Sequence, residues 1–193
     1  MKLTYNSIEK AYAKKGYKFF KGHMNLNTGF VRMDDIFTNT YSDVAFNAYQ
    51  KNGKNILEIY DGSTKAGHFW VKNPVTHEGV TGVAVVLEGQ TKMQWVDGKD
   101  NFHQSAHLAQ IVEAVRYYRD TDKDMFIDRN APISTGYIGV NCHWANGSYV
   151  ERWSAGCLVV AIPGYFEWAS TIRQSVAIYG KIITLSVKRL TMH

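Results

Sequence analysis

Gly136-Tyr137-Ile138-Gly139-Val140-Asn141-Cys142-His143 is followed, after a polar stretch containing Asn146-Gly147, by Ser154-Ala155-Gly156-Cys157. The apolar run from Tyr137 to Cys142 predicts a buried strand that delivers His143 to its end. Successive strand side chains point to opposite faces, so a His143 that looks into a cleft puts Cys142 in the core. Ser154, Ala155 and Gly156 are small enough for a substrate carbonyl to approach the backbone, and glycine tolerates unusual dihedrals. Amides around Gly156 and Cys157 are then candidates for holding an oxyanion. His143 lies fourteen positions before Cys157, and the spacing with Asn146-Gly147 predicts a hairpin that brings imidazole and thiol together. A nearby imidazole turns a thiol into a working nucleophile. Cys157 and His143 are thus the candidate catalytic pair, and Ser154, Ala155 and Gly156 the candidate oxyanion turn. Trp144, Arg152, Trp153 and His68 are candidate substrate contacts.

Outward from this stretch, short β-branched and aromatic segments alternate with turn signals. Strands are expected at 29–32, 55–60, 68–71, 82–87 and 93–95, punctuated by Asp61-Gly62, Glu88-Gly89 and Asp97-Gly98. Residues 108–119 fit helical and strand spacing, and Val115-Arg116-Tyr117-Tyr118 reads as a strand. A helix is expected over 6–15, with Asn6 and Glu9 as a capping box and Gly16 as its stop. A second is expected over 164–179, burying Phe166, Ala169, Ile172, Val176 and Tyr179 and ending at Gly180. Residues 181–190 read as a closing strand. The fold class is therefore α+β, mainly antiparallel β, with a short N-terminal helix and one C-terminal helix.

The chain has 193 residues, 45% hydrophobic and 20% charged, which suits one globular domain. Residues 1–30 hold six lysines against one acid, Glu9, and so carry the whole net charge of +5. The organisation expected is a basic arm over 1–22 and a single catalytic domain over 23–193. Such an arm suits an anionic polymer, or is simply a solvated helix face. No RNA-binding signature follows it, so nucleic acid is not an expected partner. No apolar run reaches the roughly 18 residues of a membrane span, and the start, MKLTYNSIEK, has no apolar core of a secretory signal. Asp120, Asp122, Asp124 and Asp128 have the spacing of positions 1, 3, 5 and 9 of a calcium loop. Met125 replaces the usual glycine at position 6 and Ala131 the glutamate at position 12, and the segment reads as a solvated turn. His103 and His107, near Gln110, read as structural. The plain alternatives are a buried structural thiol for Cys157 and a core histidine for His143.

The order His143 before Ser154-Ala155-Gly156-Cys157 excludes papain-like arrangements, in which the cysteine comes first. It resembles the catalytic signature of the L,D-transpeptidase (YkuD-like) family. Ser63-Thr64-Lys65-Ala66-Gly67-His68-Phe69-Trp70-Val71 is similar to a second family segment, Pro-Thr-Pro-x-Gly-x-Phe. The resemblance implies His143 as base, Cys157 as the residue acylated by a wall stem peptide, and the 154–156 turn as oxyanion hole. It implies peptidoglycan as partner, action at the bacterial cell wall, a monomer, and no cofactor or metal. The chain departs from the family in Ala155 for a histidine, Ala66 for a proline, Trp144 after the histidine, and Leu158 after the cysteine. In these it resembles a divergent branch of the phage or mobile-element lysin sort. Transpeptidation and hydrolysis both stay open, and a non-catalytic wall-binding module on the same fold is the alternative.

Overall fold

Asn52-Gly53, both with positive φ (52° and 74°), turns the chain between its two longest paired strands. That dipeptide suits the tight twist of a two-residue hairpin. The computed structural model describes residues 3–77, 79–98 and 105–189. In chain order the elements are α1 (Tyr5–Lys15), β1 (Asn27–Arg32), β2 (Asp43–Lys51), β3 (Lys54–Ser63), α2 (His68–Lys72), β4 (Thr76–His77), β5 (Val80–Thr81), β6 (Val83–Val86), β7 (Gly89–Val96), β8 (His107–Ala109), β9 (Val115–Asp120), β10 (Ser134–Gly136), β11 (Cys142–Ala145), β12 (Leu158–Ala161), α3 (Gly164–Tyr179) and β13 (Ile182–Arg189).

Eight strands close a barrel in the order β1-β13-β7-β8-β11-β12-β3-β2, and a three-stranded sheet β10-β9-β6 lies outside it. Most pairs are antiparallel. Two are parallel: β1 with β13, and β11 with β12. The mainly antiparallel β-rich class with few helices is therefore the observed one. The barrel interior holds Phe30, Met93, Trp95, Leu108, Cys142, Leu158 and Val160, with Trp168 of α3 packed into the same cluster. None of the helices in the described residues is long and apolar enough to cross a membrane.

Several local expectations are corrected. The first helix is capped by Thr4 and Ser7, whose side chains each accept from the other's backbone amide (3.1 and 2.8 Å), not by Asn6 and Glu9. It lays Tyr5, Ile8 and Tyr12 on the barrel against Val31, Phe46 and Ala48. Tyr5–Lys15 is thus a packing helix with Lys10, Lys14 and Lys15 on its exposed side, and Lys21, beyond its end, pairs with Glu9 at 2.7 Å. Residues 68–71 form a helical turn, α2, where their aromatic and β-branched side chains suggest a strand. Asp61-Gly62 lies inside β3 and is no turn; Gly62 is needed for packing, since a Cβ there would come within 2.9 Å of Phe30 and the Val159 carbonyl. The buried face of α3 is Tyr165, Trp168, Ala169 and Ile172, while Phe166 and Tyr179 are exposed. The observed stripe shares Ala169 and Ile172 with the expected one and is turned toward Tyr165 and Trp168 in place of Phe166 and Tyr179.

Candidate functional site

Residues 137–141 are not the buried strand that their apolarity suggests. Tyr137 is exposed, and the segment takes its backbone bonds from a side chain. Gln110 Oε1 accepts from the Ile138 and Val140 amides (3.0 and 3.1 Å), and its Nε2 donates to the Gly136 carbonyl (2.7 Å). One side-chain amide thus substitutes for a neighbouring strand. Gln110 fixes the chain that leads into β11, and Asn141 Oδ1 accepts from its backbone amide at 2.9 Å.

The chain between His143 and Cys157 is not a hairpin. β11 and β12 run parallel, with Cys142 beside Leu158 and His143 beside Val159, so residues 146–157 return to the strand's starting end. The Leu158 amide donates to the Asn141 carbonyl at 2.9 Å, which sets Cys157 beside Asn141. Alternation then puts Cys157 and Val159 on the same side as His143. Cys142 and Leu158 face the barrel core, as the sequence predicts for Cys142, which is fully buried. A zinc set of Cys142, His143 and Cys157 is incompatible with that arrangement, and both cysteines are free.

His143 and Cys157 line one cavity of about 610 Å³. Trp144, Arg152, Trp153 and Ala155 line it too, together with Trp70, Ile138, Gly139 and Asn141. The Trp144 and Trp153 rings lie 4.7 Å apart. His68 is absent from the wall: its Nε2 meets the Phe37 carbonyl, and its amide donates to Asn39 Oδ1 at 3.0 Å. The helical turn α2 sends Trp70 to the cavity instead, and Trp70 Nε1 donates to the Arg152 carbonyl at 3.0 Å. Trp70, Ile138, Gly139 and Asn141 were not singled out from the sequence. Asn141 had a signal, since it stands two residues before His143.

The two stretches that carried the family resemblance meet here. The Gly67 amide donates to the Ser154 carbonyl at 2.9 Å, and Gly67 lies so close to Glu151 that a side chain would overlap its backbone. Asn39, in left-handed conformation (φ 60°), ties both together, because its Oδ1 accepts from the amides of His68 and Glu151. Buried Asp43 holds the start of the segment through the Thr64 amide (2.8 Å), the Thr64 hydroxyl (2.7 Å) and Lys65 Nζ (3.2 Å).

Within the turn, the Ser154 hydroxyl donates to the Cys157 carbonyl at 2.7 Å and accepts from the Gly156 amide at 3.1 Å. Ser154 therefore braces the turn from inside, and the Gly156 amide is engaged. Of the two amides expected to hold an oxyanion, the Cys157 amide is left for that work. Gly156 has φ 146°, and a Cβ would lie 2.8 Å from the Ala84 Cβ and carbonyl oxygen. Ala155 ties the turn to β6 by accepting from the Ala84 amide at 3.2 Å.

Burial pushes the Cys157 thiol above its ordinary value, and a bond from the Asn141 backbone partly offsets it. Its Sγ lies 3.7 Å from the Gly139 carbonyl. His143 is buried, and its Nδ1 lies 2.8 Å from the Trp144 carbonyl oxygen. A carbonyl only accepts, so this contact places the Nδ1 proton there and leaves Nε2 as the basic nitrogen. His107 is buried on β8 and is not part of the cavity wall; His103 lies outside the described residues.

No family model, curated protein or solved structure matches this chain.

Proposed function

We propose that the chain performs cysteine-dependent acyl transfer on the peptide stems of peptidoglycan, in the manner of an L,D-transpeptidase or L,D-peptidase. The observation that carries this reading is the placement of Cys157 and His143 on one face of adjacent parallel strands, lining one cavity. His143 Nε2 takes the thiol proton as Cys157 Sγ attacks the peptide carbonyl that follows a diamino acid. The negative oxygen is held by the Cys157 amide, in a turn fixed by Ser154 and Gly156. His143 then returns the proton to the leaving amine as the carbon–nitrogen bond breaks, and a thioester remains on Cys157. An amine acceptor completes transpeptidation; water completes hydrolysis, as in a lysin. Trp70, Trp144 and Trp153 offer flat faces to the stem peptide, and Arg152 a charge for its carboxylates. On this reading the protein acts at the bacterial wall as a monomer, with side chains of one chain performing each step and no metal or cofactor taking part.

The test is mass spectrometry of muropeptides after incubation of sacculi with the protein and with Cys157→Ala. New cross-links or shortened stems made by the wild type, and lost at least a thousandfold in Cys157→Ala with unchanged thermal stability, are expected. The second reading is a non-catalytic wall-binding module on the same fold. It is supported instead if sacculi bind both proteins equally and the muropeptides stay unchanged.

A further inference from the structure

Beyond the cavity, the acidic turn after β9 contains a buried carboxylate that the fold leaves uncompensated. Asp120 is the last residue of β9, pairs with Val83 across the outer sheet, and is 3% exposed. Neither of its carboxylate oxygens has a hydrogen-bond partner of good geometry, though the Asp128 backbone moderates its charge. A buried carboxylate without partners is costly, and such groups are normally paired or bound to metal. Two arginines close in sequence are used elsewhere. Arg119 Nη1 donates to the Gly82 carbonyl at 3.0 Å, and Arg129 is held by Asp35 and Glu88.

Asp120 points into a cluster. Carboxylate oxygens of Asp120, Asp122 and Asp124 all lie within 4.8 Å of one another. Asp122 and Asp124 are exposed, and each uses one oxygen to shape the turn, accepting from the amides of Asp124 (3.2 Å) and Phe126 (2.7 Å). The second oxygen of each remains for a ligand. Met125 sits at φ 68°, so the sixth position of the turn has the left-handed conformation that glycine ordinarily supplies. The substitution at that position, which argues against a calcium loop in the sequence, has not removed the loop's bend.

We propose that Asp120, Asp122 and Asp124 bind a hard divalent cation, calcium in preference to magnesium. Three carboxylates converging at one turn, with water free to complete the shell, match calcium's tolerance of irregular coordination; magnesium demands near-ideal octahedral geometry. Ala131 supplies no bidentate carboxylate at position 12, so the affinity belongs to the weak class, with a Kd on the order of 0.1–1 mM. This site is independent of the proposed chemistry at Cys157.

The test is isothermal titration and thermal unfolding of the whole chain at pH 7.5 with CaCl2, MgCl2, or NaCl at matched ionic strength. Calcium binding with a Kd of roughly 0.5 mM is expected, and 10 mM calcium then shifts the folding equilibrium about 20-fold toward the native state. Asp120→Asn and Asp124→Asn each weaken binding at least tenfold; Asp124 is exposed, so the second variant reports even if the first fails to fold. The proposal is overturned if calcium gives no heat and no shift beyond that of NaCl. An equal response to magnesium, or a calcium response kept by Asp124→Asn, overturns it as well.

Discussion

The β2–β3 ladder and the β11–β12 ladder stand in the same barrel and are built on opposite plans. β2 and β3 pair antiparallel from Asp43 with Gly62 to Lys51 with Lys54, joined by Asn52-Gly53. That ladder joins strands adjacent in the chain, and its register follows from the two-residue turn between them. β11 and β12 pair parallel over only four residues, Cys142 with Leu158 to Ala145 with Ala161. They are joined by residues 146–157, which take their shape from Asn39, Gly67 and Ala84, far away in the chain. The long ladder is scaffold, and the short one carries the thiol and the imidazole. A site made by distant contacts can be damaged without unfolding the hairpin, and the variants below use that difference.

Gly67→Ala should have the largest effect. The new Cβ falls on the Glu151 backbone, so the 63–67 segment and the 146–157 return loop must part. A loss of about 3 kcal/mol is expected, read by urea unfolding, with activity falling further than stability. Hydrogen exchange should show the damage around 146–157 while the β2–β3 amides keep their protection. Equal loss of protection in both ladders would remove the distinction drawn between them.

His143→Ala tests the chemistry with less effect on the fold. Burial holds the Cys157 thiol up, so little thiolate exists at pH 7 and direct alkylation should keep rising beyond pH 9. His143 acting as base adds a rate at neutral pH that does not depend on free thiolate. The variant should therefore react with iodoacetamide about tenfold more slowly near pH 7 and converge with the wild type above pH 9. Superimposable profiles across the range would separate the two residues functionally.

Cys142→Ala sits on the opposite face of the same ladder and should keep activity, at a cost of about 1 kcal/mol for the cavity it leaves. It should also blunt alkaline sensitivity. Burial raises the Cys142 thiol well above its ordinary value. The unfolded thiol loses its proton at about pH 8.5, before the folded one does, so this contribution to stability is full below that pH and is lost as pH rises beyond it. Urea midpoints at pH 7 and 10 should differ less in Cys142→Ala than in the wild type; an unchanged difference would assign the alkaline loss to other groups.

How much was legible follows the same division. The strands at 29–32, 55–60 and 93–95, the helices stopped by Gly16 and Gly180, and the inward Cys142 were all readable, because each depends on periodicity or a local breaker. Cys157 and His143 could be paired on spacing, but the sense of that pairing could not be read. Parallel and antiparallel returns are both possible across such a loop, and the choice depends on β3 and β8 flanking the pair. Residues 137–141 were misread because Gln110 replaces a strand there, a tertiary contact that leaves no period in the chain. His68 and Trp70 changed places because two strand residues on one face become helical neighbours turned away from each other.

β13 pairs with β1 on one side and with β7 on the other, and it follows every other barrel strand in the chain. During synthesis, therefore, the edges of β1 and β7 stay open until β13 leaves the ribosome. An open edge invites pairing with another copy. The interval before closure is then the protein's most vulnerable one, and slowing the ribosome between Tyr179 and Ile182 should cost more soluble product than an equal pause after β3, whose ladder with β2 needs nothing made later.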